Sequence, residues 1–135
     1  MDNTFFTADE HYFHNKINEY TQRPWSQVKA GNKGLVKNHN DVVSDGQIVW
    51  HVGDFTMASA EYAGKVEREV IHRLNGEHHL VLGNHDEWKP FRYVAAGFTS
   101  IHTSFWFTHG DYKFVLAHDP SIYTILENDP TTIML

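Results

Sequence analysis

Short apolar runs that stop at small clusters of polar residues constrain this chain more than any other feature. Leu80-Val81-Leu82 ends at Gly83-Asn84-His85-Asp86, and "QIVWHV" (47–52) ends at Gly53-Asp54. "NTFFTA" (3–8) runs into Asp9-Glu10-His11, and "YKFVLA" (112–117) into His118-Asp119. The near-continuous apolar character of 47–52 marks a strand covered on both faces. Between the runs lie segments of helical period. From Asn32 to Val43 the stripe is Leu35, Val36, His39, Val42 and Val43. After Ser59, a candidate N-cap, Ala63, Val66, Val70, Ile71 and Leu74 share one face, and Asn75-Gly76 is a stop signal. Residues 14–22 form a short helix closed by Pro24. Residues 89–98 form another, with Pro90 in the first turn and Gly97 past the end. Residues 99–107 and 112–117 read as strands joined by a turn at 108–111. The order β-α-α-β-α-β-α-β-β predicts an α/β fold in one domain over residues 1–135. Its parallel core carries an antiparallel addition.

In an open α/β sheet, ligands bind beyond the carboxyl ends of the strands. If these strands are parallel neighbours, their polar tips converge on one crevice. Asp9 and Asp54 cannot share a pocket cheaply without a cation. His11 and His118 add neutral nitrogen donors and Asn84 a carbonyl oxygen. Mixed nitrogen and oxygen ligation without sulfur suits Mn, Fe, Zn or Ni, and Mg less well. A carboxylate such as Asp54 has two oxygens and can bridge two ions. Each tip alone has a plainer reading, as a turn or a helix cap; the ordered set is the specific signal.

Composition closes off other classes. The chain has 135 residues, 41% apolar, with net charge −6, so broad binding to nucleic-acid phosphates is not expected without an added cation. It has no cysteine, which excludes disulfides, thiolate metal sites and cysteine nucleophiles. The N-terminal stretch lacks a basic region followed by an apolar one and is not read as a signal peptide. No apolar run approaches a spanning helix, so a cytoplasmic location is the default expectation. Of eleven histidines, His39, His72 and His102 are expected at the surface or capping something.

The ordered set Asp9-Glu10-His11, Gly53-Asp54, Gly83-Asn84-His85-Asp86 and His118 resembles the calcineurin-like metallophosphoesterases. The wording resembles their small bacterial and bacteriophage members, in "TADEHYFH", "RPW", "VWHVGDF", "RLNGEHHLVLGNHD" and "VLAHDP". The likeness runs from about residue 3 to 120. It implies a β-sandwich flanked by helices and a site for two divalent ions. It further implies hydrolysis of phosphate mono- or diesters by metal-activated water. Carried over position by position, Asp9 and His11 hold the first ion, Asp54 bridges, and Asn84 and His118 hold the second. His85 protonates the leaving oxygen and Asp86 orients it, a matched general acid near neutral pH. His14 is a candidate for touching substrate phosphate or a metal.

The sequence departs from this family after His118. The family's closing G-H-x-H segment, with one histidine for each ion, has no counterpart in "DPSIYTILENDPTTIML". The expectation is a C-terminally shortened sandwich with an atypical tail, residues 119–135. His14 or His109 would replace a ligand, or a second chain would cover an open edge. A homo-oligomer burying Ile122, Tyr123, Ile125 and Leu126 follows from the second option. The alternatives to an esterase are a member of the fold serving as a binding or regulatory protein, and a histidine-rich metal-binding protein.

Overall fold

The computed structural model describes residues 3–121 and 129–135. Four strands, β1 (Thr4–Thr7), β2 (Ile48–Val52), β3 (Glu77–Val81) and β4 (Ser100–His102), form a wholly parallel sheet in that order. Helices α2 (Val28–Val42), α3 (Ala63–Glu69) and α4 (Pro90–Ala96) supply the crossovers, after a single turn α1 (Ile17–Tyr20). A second sheet holds β5 (Phe105–His109), β6 (Tyr112–Leu116) and β7 (Thr132–Met134). Here β5 is antiparallel and β7 parallel to β6. The protein is thus mixed α/β.

The parallel sheet is buried on both faces, as its apolar runs require. On one face Leu80 packs with Val36, Val66, Val70, Tyr93 and Phe98 from the helical side. On the other, Trp50, Val52 and Val81 meet Leu116 of the second sheet. Phe6 stacks on Phe107 and Trp50 on Phe105 across that layer. Among the described residues, no helix is long and apolar enough to cross a membrane.

Several boundaries differ from the sequence expectation. Residues 99–107 are not one strand. The chain leaves the first sheet after His102 and enters the second at Phe105. Helix α2 begins at Val28, before Asn32, because Gly31 and Gly34 are packing positions rather than breaks. A Cβ on Gly34 would lie 2.2 Å from the Trp25 ring, and one on Gly31 would lie 2.9 Å from Asn18. The stretch 60–74 is α3 flanked by two 3-10 turns, Ala60–Tyr62 and Ile71–Arg73. Ser59 precedes it without a side-chain cap, its hydroxyl going to Glu61 instead. Strand β5 extends to His109, leaving Gly110-Asp111 as the turn. The tail contributes β7, a strand the sequence pattern did not announce. Ile122, Tyr123, Ile125 and Leu126, the expected oligomer contacts, lie outside the described residues.

Candidate metal centre

The carboxyl ends of β1, β2 and β3, together with the end of β6, bring the expected residues to one place. Asp54 is at its middle, 4% exposed. Its Oδ2 lies 3.5 Å from His11 Nε2 on one side and 3.4 Å from His118 Nε2 on the other. Asp9 Oδ1 stands 3.7 Å from His11 Nε2, and Asn84 Oδ1 3.1 Å from His118 Nε2. One ligand atom each from Asp9, His11 and Asp54 lies within 4.8 Å of the others, a group that can hold a metal ion. On the other side His118 Nε2 approaches the same Asp54 oxygen, and Asn84 Oδ1 approaches His118 Nε2.

Two glycines make this approach physically possible. A Cβ on Gly83 would sit 2.2 Å from Asp54 Oδ1, and one on Gly53 would sit 2.2 Å from the His118 ring. Gly53, at φ 87°, also takes a backbone shape that side chains rarely adopt. The glycines that end the apolar runs are therefore clearances for the site, as well as turns.

The donor chemistry suits a cation. His118 Nδ1 donates to the Val52 carbonyl at 3.1 Å. In a neutral ring that bond leaves a lone pair on Nε2, facing Asp54 Oδ2 and Asn84 Oδ1. Lone pairs set against one another in this way suit positive charge between them, a proton or a metal ion. A backbone or carboxylate partner on the far ring nitrogen is the usual arrangement of a ligating histidine. His11 Nδ1, by contrast, is buried without a partner among the described residues.

The loop 8–13 presents its side chains by an unusual alternation. Asp9, His11 and Phe13 have φ of 56°, 53° and 62°, and Asp54 opposite has 55°. Such backbone costs on the order of 1 kcal/mol or more per residue and persists only when its surroundings over-determine it. Here they do. The amides of Asp9, His11 and Tyr12 donate to the carbonyls of Gly53, Asp54 and Phe55 at 2.9–3.0 Å. Arg23 reaches across with its fork, donating to the carbonyls of Glu10 (2.7 Å) and Asp9 (2.8 Å).

His85 is exposed, and its ring centre is 5.8 Å from that of His11. Its backbone N–H donates to Asp54 Oδ1 at 2.9 Å. Asp86 does not perform the expected orienting task. Its Oδ1 accepts the amides of Phe55 (3.0 Å) and Thr56 (3.4 Å), and its Oδ2 that of Gly83 (2.9 Å). It staples the tip of β3 to the tip of β2. Burial raises its carboxyl above the usual range, against the pull of those amides. His14 lies beside the Asp9 side, its ring 5.4 Å from that of His11. Burial, then His11 and His85, lower its imidazole below the ordinary value. His109 is misplaced as a substitute ligand. It pairs with Tyr112 at the far end of a hairpin whose near end is Phe105 opposite Leu116, about 13 Å away along the strand.

Sequence reasoning missed the residues behind the loop. Glu10 and His51 are buried and joined, Oε1 to Nδ1, at 2.5 Å. His51 Nε2 meets His78 Nδ1 at 3.0 Å, and His78 Nε2 faces the Leu74 carbonyl at 3.5 Å. The available signal was an imidazole inside "IVWHV", a strand with no solvent on either face. His39, expected at the surface or as a cap, is half-buried and donates to the Asn75 carbonyl at 2.8 Å. His72 is exposed, and His102 is half-buried against the Ser100 hydroxyl at 2.8 Å. Two open clefts flank the centre and meet at His118. One, about 520 Å³, is lined by Asp9, Ala117, Met134 and Leu135; the other, about 570 Å³, by Leu82, Asn84, Thr103 and Pro120.

The chain is 35% identical over 127 residues to the uncharacterized protein MJ1445 of Methanocaldococcus jannaschii. That match covers 93% of this chain and 64% of the relative. It is 32% identical over 96 residues to the Gene 66 protein of Mycobacterium phage L5, covering 67% of this chain and 42% of that protein. The chain thus spans less than two thirds of the length of either curated relative. A crystal structure of a protein of unknown function, AQ665 from Aquifex aeolicus, matches with a TM-score of 0.68 at 24% identity. That match covers 94% of this chain and 66% of the other, and is a likeness of fold alone. No family model matches the chain.

Proposed function

We propose that this chain is a metal-dependent phosphoric ester hydrolase built on a metallophosphoesterase-like sandwich. Asp9, His11 and Asp54 would hold one divalent ion, and Asp54, Asn84 and His118 a second. The support is the position of Asp54 Oδ2, 3.5 Å from one imidazole nitrogen and 3.4 Å from another, with an acid on one flank and an amide oxygen on the other. Three protein ligands with water completing the shell is a normal count for a catalytic ion. When bound, such ions polarise phosphoryl oxygens and activate water.

The remaining work belongs to the chain's own groups. Asp54 keeps its orientation because Oδ1 accepts the His85 amide, which frees Oδ2 for the ligand groups. His85 stays outside the ligand set, exposed beside His11. It would donate to the departing ester oxygen. Asp86 fixes the backbone that carries His85, acting on its position and not on its charge. The clefts on either side of His118 leave room for the two substituents of an ester. His14 stands where a phosphate oxygen on the Asp9 side would come.

Hydrolysis of an aryl phosphodiester and an aryl phosphomonoester, with Mn added and with chelator, tests this reading. Turnover that appears with Mn and disappears with chelator is expected. Metal uptake without turnover on either ester would instead favour a metal-binding protein. Neither uptake nor turnover would favour a binding or regulatory protein.

A further inference from the structure

The alternating loop 8–13 divides its side chains between two jobs. Asp9 and His11, on left-handed backbone, face the candidate centre. The residues between and after them, Glu10 and Tyr12, turn inward and are 8% and 2% exposed. Tyr12 is held by core packing against Phe55. Glu10 is held by a chain of hydrogen bonds, and its other oxygen, Oε2, is buried with no partner among the described residues. The His51 contact is therefore the side-chain anchor of Glu10.

The directions of that chain follow from its far end. A carbonyl only accepts, so His78 Nε2 carries the hydrogen that faces Leu74. Its Nδ1 then accepts from His51 Nε2–H, and the remaining hydrogen lies between His51 Nδ1 and Glu10 Oε1. The rings are boxed by aromatic neighbours, with Phe55 edge-on to His51 at 5.0 Å and Phe98 edge-on to it at 5.7 Å. Phe98 is also edge-on to His78, at 6.3 Å.

We infer that His51, supported by His78, is a positioning residue for the metal centre: it acts through Glu10 to hold Asp9 and His11 in their strained, ligand-presenting backbone. The inference rests on the metal-centre reading above. Outer partners of metal ligands typically change metal affinity by about 10–100-fold. Left-handed backbone at three alternate positions gives the loop a reason to relax once its inward anchor is cut.

Two isosteres separate this role from plain core support. In His51→Asn the side-chain amide nitrogen reaches the place of Nδ1 and keeps the donor to Glu10. In His51→Gln it reaches the place of Nε2, keeping the link to His78 and dropping Glu10. Mn binding is measured by calorimetry on the wild type and both variants, with Val70→Ala as a folded but destabilised control. The expected result is affinity within about threefold of wild type for His51→Asn and for the control, and at least about tenfold weaker for His51→Gln. Equal affinities in the two variants, or weaker binding by the Asn variant, would overturn the positioning role while leaving the metal centre intact. Should the Gln variant not fold, Glu10→Leu takes its place. It removes the carboxylate through which His51 acts, with an expected loss of at least about tenfold, and affinity within about threefold of wild type there would count against the role. Wild-type protein that takes up no Mn would overturn the metal-centre reading itself.

Discussion

The two sides of Asp54 are built to different standards. On one side, Asp9 and His11 stand on a loop tied down at nearly every residue, by strand-like bonds to 53–55, by the Arg23 fork and by Glu10 on His51. On the other side, Asn84 is exposed, and among the described residues its Oδ1 faces only His118 Nε2, whose own ring is fixed by one bond to the Val52 carbonyl. The difference teaches that preorganisation is concentrated where the backbone is strained. An ion on the Asp9 side meets a loop whose backbone is already held and a charged carboxylate, itself exposed. An ion on the Asn84 side must order an exposed amide, a poor donor, as it binds. The two affinities should differ, with the Asp9 side the tighter.

The largest expected effect comes from removing what both sides share. Asp54→Asn replaces a charged oxygen pair by an amide, and metal content and Mn-dependent turnover should both fall to background. Wild-type metal content in the purified variant would remove Asp54 from the bridging role.

His85→Ala comes next, because it leaves both sides intact. Metal content should hold while the rate falls on the order of 10²–10⁴-fold. The loss should shrink for esters with good leaving groups, which need little protonation. Equal losses on good and poor leaving groups would argue against a general acid.

Acid should weaken the anchored side through His78. Burial, and then its neighbour His51, lower the His78 imidazole to about 3, against an ordinary value near 6.5. Below about pH 6.5 the unfolded chain takes up this proton and the folded chain does not. Stability is therefore full above that pH and falls as pH drops toward 3, by on the order of 4 kcal/mol from His78 alone. His39 and His79 are lowered by burial too and act in the same direction. Chemical denaturation at a series of pH values checks this, and His78→Phe should flatten the slope. An unchanged slope in that variant would show that the loss arises elsewhere.

The smallest effect should be one-sided. Gly53→Ala places a methyl group against the His118 ring at a backbone angle unsuited to alanine. The second ion should bind roughly tenfold more weakly, with the first within about threefold and stability down by about 1–2 kcal/mol. Equal losses at both ions in a Mn titration would contradict the separation of the two sides.

What could be read in the sequence was the part set by local pattern. The apolar runs 47–52 and 79–82 are strands because Val, Ile and Leu cannot be left in water, and their polar tips fall where strand direction puts them. The meeting of Asp9, Asp54 and Asn84 followed on the condition that β1, β2 and β3 are parallel neighbours, which they are; His118 arrives from β6 of the other sheet. Hidden were features that depend on what lies across the gap. Gly31 and Gly34 look like helix breakers until Trp25 and Asn18 are in place. Thr103-Ser104 interrupts β-forming sequence without a turn signal, so the switch between sheets had no local mark. Strand β7 is three residues long and exists through its pairing with β6. Asp86, beside an imidazole in sequence, spends its carboxylate on the amides of another strand. Glu10 and His51 are 41 residues apart and meet only in the folded core.

The sharing of one carboxylate oxygen by two ligand groups is tested most directly by electron paramagnetic resonance during a Mn titration of the wild type. Two ions held on either side of Asp54 are magnetically coupled. The first equivalent should give the signal of an isolated Mn ion, filling the Asp9 side. The second should replace that signal with that of a coupled pair. A second equivalent that merely doubles the isolated signal, or saturation at one ion, would contradict the shared centre.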